Sequence, residues 1–178
     1  ATGQEFAQVQ THSRASAGGS ITDLGGNDVI LALGGNKIVL GGDGMDLITL
    51  GDALATGTSD HIVLGDNGIV TYVPMSAGVT GGWGKAQKYE TTDTLLASSA
   101  GGTAGGDETT LGDVITIVQD GKNTVLGGLG ADTILLMNGT ATVLGDNGLV
   151  EMDATGQEFA QVQTHSRASA GGSITDLG

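Results

Sequence analysis

Two nine-residue stretches combine the residue types and spacing needed to hold a cation. Gly41-Gly42-Asp43-Gly44-Met45-Asp46-Leu47-Ile48-Thr49 and Gly127-Gly128-Leu129-Gly130-Ala131-Asp132-Thr133-Ile134-Leu135 both fit G-G-x-G-x-D-x-U-x, where U is a large apolar residue. This pattern reads as a calcium-binding turn followed by a short strand. The glycines reach backbone conformations with positive φ, so the first six residues bend sharply and aim carbonyl oxygens inward. The aspartate adds a carboxylate to that cage. Calcium favours several oxygen ligands of this mixed kind, and a flexible turn suits its loose geometry better than magnesium's octahedron. The last three residues form a strand whose middle side chain faces the interior.

The period is sustained beyond these two matches. Steps of nine from Gly44 reach Gly35 and Gly26, with Asp46, Lys37 and Asp28 two residues on and Ile48, Val39 and Ile30 four residues on. In the second run Gly121, Gly130, Gly139 and Gly148 are nine apart, with Val125, Ile134 and Val143 at the interior positions. Two runs in phase point to stacked coils rather than to isolated glycine-rich loops.

Composition agrees. With 34 glycines, one proline and 3% aromatic residues in 178, the chain is poor material for a conventional core. Stacked thin layers need only a few Ile, Val and Leu each. Six Lys plus Arg against 20 Asp plus Glu give a net charge of −14. That balance argues against nucleic acid, whose phosphates require basic partners, and suits bound calcium, which would offset carboxylate repulsion. There is no cysteine, hence neither a disulfide framework nor a thiolate metal site. No apolar run is long enough to span a membrane.

A much longer repeat encloses the nonapeptides. Residues 1–25 recur without a difference as 154–178, an offset of 153. Such a copy is expected when slightly more than one period is taken from a tandem array; an artificially duplicated end is the alternative. The 153-residue unit itself has two halves, because Gly65-Asp66-Asn67-Gly68 returns as Gly145-Asp146-Asn147-Gly148, a little over half a unit later. The resulting organisation is an excursion over 1–25, a first run over 26–68, an excursion with glycine-rich loops over 69–110, a second run over 111–152, and the start of the next unit over 153–178. Strands are expected at 5–13, 29–33, 38–40, 47–50, 61–64, 69–73 and 85–92. Asp52 to Ser59 interrupts the period by about six residues, as a loop bulging from the coil would. Almost no helix is expected.

These nonapeptides resemble those of the repeats-in-toxin (RTX) family, and the Val-Leu-Gly-Asp-Asn-Gly punctuation within long tandem units is similar to that of giant bacterial RTX-type surface proteins. The resemblance covers about half the chain. It implies an all-β fold, a right-handed parallel β-roll (β-solenoid) with two nonapeptides per coil, and calcium between turns stacked on the same edge. It also implies an extracellular or cell-surface location reached by type I secretion.

That geometry places every second nonapeptide on the same edge. Asp28 then stacks on Asp46. In the second half Asp132 stacks on Asp113, which lies one residue further back than two nonapeptides would put it, with a bulge absorbing the difference. These aspartates, with turn carbonyls around Gly26, Gly42, Gly44, Gly128 and Gly130, are the expected calcium ligands, on one competent edge per half. The opposite edges hold Lys37 and His61 in one half and Asn123 and Ala141 in the other, poor ligands for calcium. Asp43, Asp60, Asp66 and Asp146 are weaker candidates, since Asp and Asn in such turns commonly bond their own backbone.

Other chemistry is thin. His12, its copy His165, and His61 have no carboxylate or cysteine at zinc-ligand spacing. Neither an H-E-x-x-H helix nor a G-x-S-x-G elbow is present, so no enzyme is expected. Trp83 could be an exposed contact or an aromatic plug over an open coil. Asn138-Gly-Thr matches a glycosylation sequon by pattern alone. The expected function is a structural repeat segment of an extracellular bacterial fibre, filament or stalk. Its partners are calcium, neighbouring units of the same chain and copies of the chain. Alternatives are the spacer or adhesive region of a giant RTX-type adhesin and an RTX region attached to a secreted enzyme. Ice binding would need a regular Thr/Asn ladder, which Asn27 and Asn36 alone do not make.

Overall fold

The structure, a computed structural model, describes residues 8–11, 26–42, 44–72, 86–92, 112–153, 158–165, 167–168 and 174–175. His12, Asp43 and Trp83 lie outside them. The chain is all-β, and no helix occurs among the described residues.

Short apolar segments bounded by glycine and aspartate become strands, since β-branched side chains suit a pleated surface. In the first run these are β2 (Val29–Ala32), β3 (Lys37–Leu40), β4 (Leu47–Leu50) and β5 (His61–Leu64); in the second, β8 (Val114–Ile117), β9 (Lys122–Leu126), β10 (Thr133–Leu136) and β11 (Thr140–Leu144). The chain alternates between two parallel four-stranded sheets. Sheet 1 has the order β10-β8-β4-β2 and sheet 2 the order β11-β9-β5-β3. Within both sheets the second run continues the first: Leu47 of β4 pairs with Val114 of β8, and Val63 of β5 with Val125 of β9.

The excursions build a third sheet. It is antiparallel, with β1 (Gln8–Gln10), β6 (Gly68–Tyr72), β7 (Ala86–Thr91), β12 (Gly148–Met152) and β13 (Phe159–Thr164) in that order. Gly148–Met152, which the sequence reading includes in the second run, therefore pairs outside the parallel sheets. A separate two-stranded ribbon joins β14 (Arg167–Ala168) to β15 (Ile174–Thr175).

Side-chain alternation along the sheet 2 strands packs the three sheets as layers. Val39, Val63 and Val125 meet Ile48, Leu50, Ile115 and Ile117 of sheet 1 in one core. Their neighbours Ile62, Leu64, Leu126 and Leu144 face the other way, against Val70, Tyr72, Tyr89 and Val150 of sheet 3. Within sheet 2, β5 is covered on both faces, which accounts for its unbroken Ile62-Val63-Leu64 run. Each fully buried Ile, Leu or Val contributes about 1.5–3 kcal/mol. The outer face of sheet 1 is open, leaving Val29 78% and Leu31 66% exposed, with Leu47, Val114 and Leu135 beside them.

Candidate cation-binding edge

Asp28, Asp46, Asp113 and Asp132 each directly precede a strand of sheet 1, and the register of that sheet places all four in one column. The column extends the inward-facing row of Ile30, Ile48, Ile115 and Ile134. The two short stacks expected from the sequence thus lie end to end on a single edge. Each step is closed by two bonds. Asp28 N–H donates to Asp46 Oδ1 (2.8 Å), Asp46 N–H to Asp113 Oδ1 (2.7 Å) and Asp113 N–H to Asp132 Oδ1 (2.8 Å). In return Leu47, Val114 and Thr133 donate their N–H groups to the carbonyls of Asp28, Asp46 and Asp113.

The extra residue between Asp113 and Asp132 is absorbed on the opposite edge. Asn123 pairs with both His61 and Ala141, so five residues separate Ile117 from Asn123, against four between Ala32 and Lys37. On that edge the column reads Lys37, His61, Asn123, Ala141. Lys37 Nζ donates to the carbonyls of Gly34 and Gly35. His61 is buried, and neither of its ring nitrogens has a hydrogen-bond partner. Burial, then the Lys37 charge, lower its pKa, against an opposing effect of Asp60.

Around the aspartate column the turns 41–46 and 127–132 depend on glycine. Gly42, Gly44, Gly128 and Gly130 have φ of 110°, 128°, 112° and 101°, values costly for any residue with a Cβ. Gly44 also lies against the carbonyl group of Gly26. Space makes a second demand. A Cβ on Gly41 would overlap Asp46 Oδ2 and the Gly65 carbonyl oxygen; on Gly65, Asp113 Oδ2 and the Gly127 carbonyl oxygen; on Gly127, Asp132 Oδ2 and the Gly145 carbonyl oxygen. The same cradle, a carboxylate oxygen facing a main-chain carbonyl oxygen across a glycine, therefore recurs three times.

Asp132 shows what this cradle costs. Its Oδ2 is buried without a hydrogen-bond partner. Desolvation, aided by the Asp146 charge and opposed by the hydrogen bond from Asp113, pushes its pKa up from 3.8 to about 6. A buried carboxylate oxygen without a donor calls for a proton or a cation. The donor set fits calcium in kind, being carboxylate plus carbonyl oxygen. Among the described residues no three His, Cys, Asp or Glu side chains converge on one point. The six to eight oxygens calcium prefers would thus come largely from turn carbonyls.

The weaker candidates take other roles. Asp66 accepts the Leu129 N–H of the neighbouring turn, a bond across circuits rather than within its own turn. Asp60 Oδ1 accepts Lys122 N–H at 2.8 Å, while its own N–H donates to Asn36 Oδ1. Asp146 acts on the column through its charge.

The sequence reading missed two threonines. Gly68 N–H donates to Thr11 Oγ1 (3.0 Å) and Gly148 N–H to Thr91 Oγ1 (2.9 Å). Thr11 is offset from Thr91 as Gly65 is from Gly145. That shared offset, which relates the two halves, was the signal available. No family model, curated protein or solved structure matches the chain.

Proposed function

We propose that the chain is a structural segment of an extracellular bacterial fibre, filament or stalk. In this reading sheets 1 and 2 are the walls of a right-handed parallel β-roll, an RTX-type solenoid that calcium stabilises and that repeats with the 153-residue period. The observation that carries it is the unbroken aspartate column: four carboxylates from two separate runs share one edge, each bonded to the next. Like charges stacked this way weaken the fold, and a bound cation offsets that loss. When bound, calcium supplies the neutralising charge and cross-links adjacent turns. The residues of the chain position the carboxylates, close the backbone ladder and exclude water with the Ile and Val core.

The energetics suit an export switch. Extracellular calcium sites bind with a dissociation constant of about 0.1–1 mM. At tenfold excess over that constant each site adds roughly 1.4 kcal/mol by mass action, a small term that accumulates along an array whose layers are stable only together. The open apolar face of sheet 1 supports lateral association between copies in a filament. The same reading includes export by type I secretion.

The test is far-UV circular dichroism of the whole chain, titrated with calcium from a chelated start and with magnesium as control. A calcium-specific rise in β signal, lost when Asp28 and Asp46 are replaced by Ala, is expected. Equal β signal in chelator and in calcium, together with a melting temperature that calcium does not raise, would remove the metal from the account.

A further inference from the structure

Strands β1 and β13 have the same sequence in two places: Gln8-Val9-Gln10-Thr11 recurs as Gln161-Val162-Gln163-Thr164. They sit at opposite ends of sheet 3. Their side chains behave alike, with the Gln8 amide donating to Gln10 and the Gln161 amide to Gln163. Their backbones do not.

In an antiparallel strand, successive residues direct their N–H and C=O groups to opposite edges. Thr11 N–H donates to the Gly68 carbonyl (3.1 Å), so residues 9 and 11 address β6. His165 N–H donates to the Asn147 carbonyl (2.7 Å), so residues 161, 163 and 165 address β12. In the repeat these are positions 8, 10 and 12. One copy thus uses the odd positions and the other the even ones. The two pairings occupy different edges of the same strand and are compatible in a single strand at once.

Two side-chain columns across the sheet point the same way. Val9, Val70, Tyr89, Val150 and Val162 are in mutual register. The central three are buried, whereas Val9 is 37% and Val162 47% exposed. The neighbouring column alternates as Thr11, Gly68, Thr91, Gly148, Thr164. Each glycine donates its N–H to the preceding threonine, and among the described residues no glycine strand follows Thr164.

We propose that Phe159–Thr164 is a seam strand, bonded on one edge to β12 and on the other to the Gly68–Tyr72 strand of the following repeat. The β13 strand of one unit is then the β1 strand of the next, and sheet 3 passes without a break along the array. Val162 is covered as Val70 and Val150 are, and Thr164 Oγ1 accepts the next glycine N–H. The seam rests on the tandem reading of the 153-residue period. It adds that successive units are fused through a shared sheet rather than strung as separate bodies.

Amide hydrogen exchange by NMR tests this in the 178-residue chain and in a chain lengthened by one 153-residue period. In the shorter chain the Val9 and Thr11 amides are expected to be protected, while those of Val162 and Thr164 exchange freely. In the longer chain the Val162 and Thr164 amides gain about tenfold protection or more, the effect of a formed hydrogen bond. Val162→Pro is expected to leave the shorter chain folded, since its amide lies on an open edge, and to abolish the gain in the longer one. Thr164→Val is expected to lower the melting temperature of the longer chain alone. If Val162 and Thr164 exchange equally fast in both chains, the seam is wrong. The array reading then still stands where the added unit folds with calcium, and falls only where it does not.

Discussion

Asp46 donates its main-chain N–H to Asp113 Oδ1 at 2.7 Å across 67 residues of chain, and Val114 returns a bond to the Asp46 carbonyl at 2.8 Å. This pair of bonds fastens the first run to the second. Asp113→Ala leaves a buried amide without its acceptor, a loss of about 1–3 kcal/mol. Asp113→Asn keeps an oxygen at that place and is expected to cost less in chelator, yet to reduce the stabilisation gained from calcium. Urea unfolding of both variants, with and without calcium, separates the hydrogen bond from the charge.

The glycine cradle predicts a sharp contrast between glycines. A Cβ at Gly65 would overlap Asp113 Oδ2 and the Gly127 carbonyl oxygen, whereas one at Gly57 meets nothing within 4 Å. Gly65→Ala is expected to destabilise by about 1–3 kcal/mol through overpacking. Gly57→Ala is expected to stay within about 0.5 kcal/mol of the parent. Thermal melts of the two variants check this.

Much of this architecture is legible in the residues. Strands expected at 47–50 and 61–64 are Leu47–Leu50 and His61–Leu64, and those at 29–33 and 85–92 agree to within a residue at each end. Apolar segments set off by Gly and Asp leave little choice. The loop over 52–59 also lies between strands, held by Ser59 N–H to the Asp120 carbonyl and by Gln119 Nε2 to the Gly57 carbonyl. Partnership was harder to read. Asp28 and Asp46 are related by local arithmetic, but nothing near Asp46 indicates that Asp113 is its neighbour. That relation is set by the register of sheet 1, in which Ile48 lies opposite Ile115. Alternation in residues 5–13 likewise marks a strand without showing which strand it joins.

Acid should act on the column through Asp132. Its folded pKa, raised from 3.8 to about 6, means that the native chain binds the proton more tightly than the unfolded one. This contribution is fully present below pH 3.8 and is lost as pH rises through about 6. In chelator the parent is therefore expected to lose stability across that window relative to Asp132→Asn. Calcium, which binds the carboxylate form, is expected to offset the loss at the upper end. Urea midpoints measured against pH, with and without calcium, give the comparison.

His61 works in the opposite direction. Burial and Lys37 hold its pKa below the ordinary 6.5, so its contribution is present above pH 6.5 and lost as pH falls through the folded value. His61→Val, which places an apolar β-former in a buried slot, is expected to remove that loss. The difference in melting temperature between variant and parent should then widen as pH drops below 6.5.

The most direct test of a single cation-supported stack is urea unfolding of the whole chain, followed by far-UV circular dichroism at increasing free calcium. One transition is expected at every calcium concentration, with a midpoint that rises with calcium and a slope that does not change. Two separated transitions would show that the runs fold as independent bodies, and a midpoint indifferent to calcium would show that the aspartate column holds no such ion.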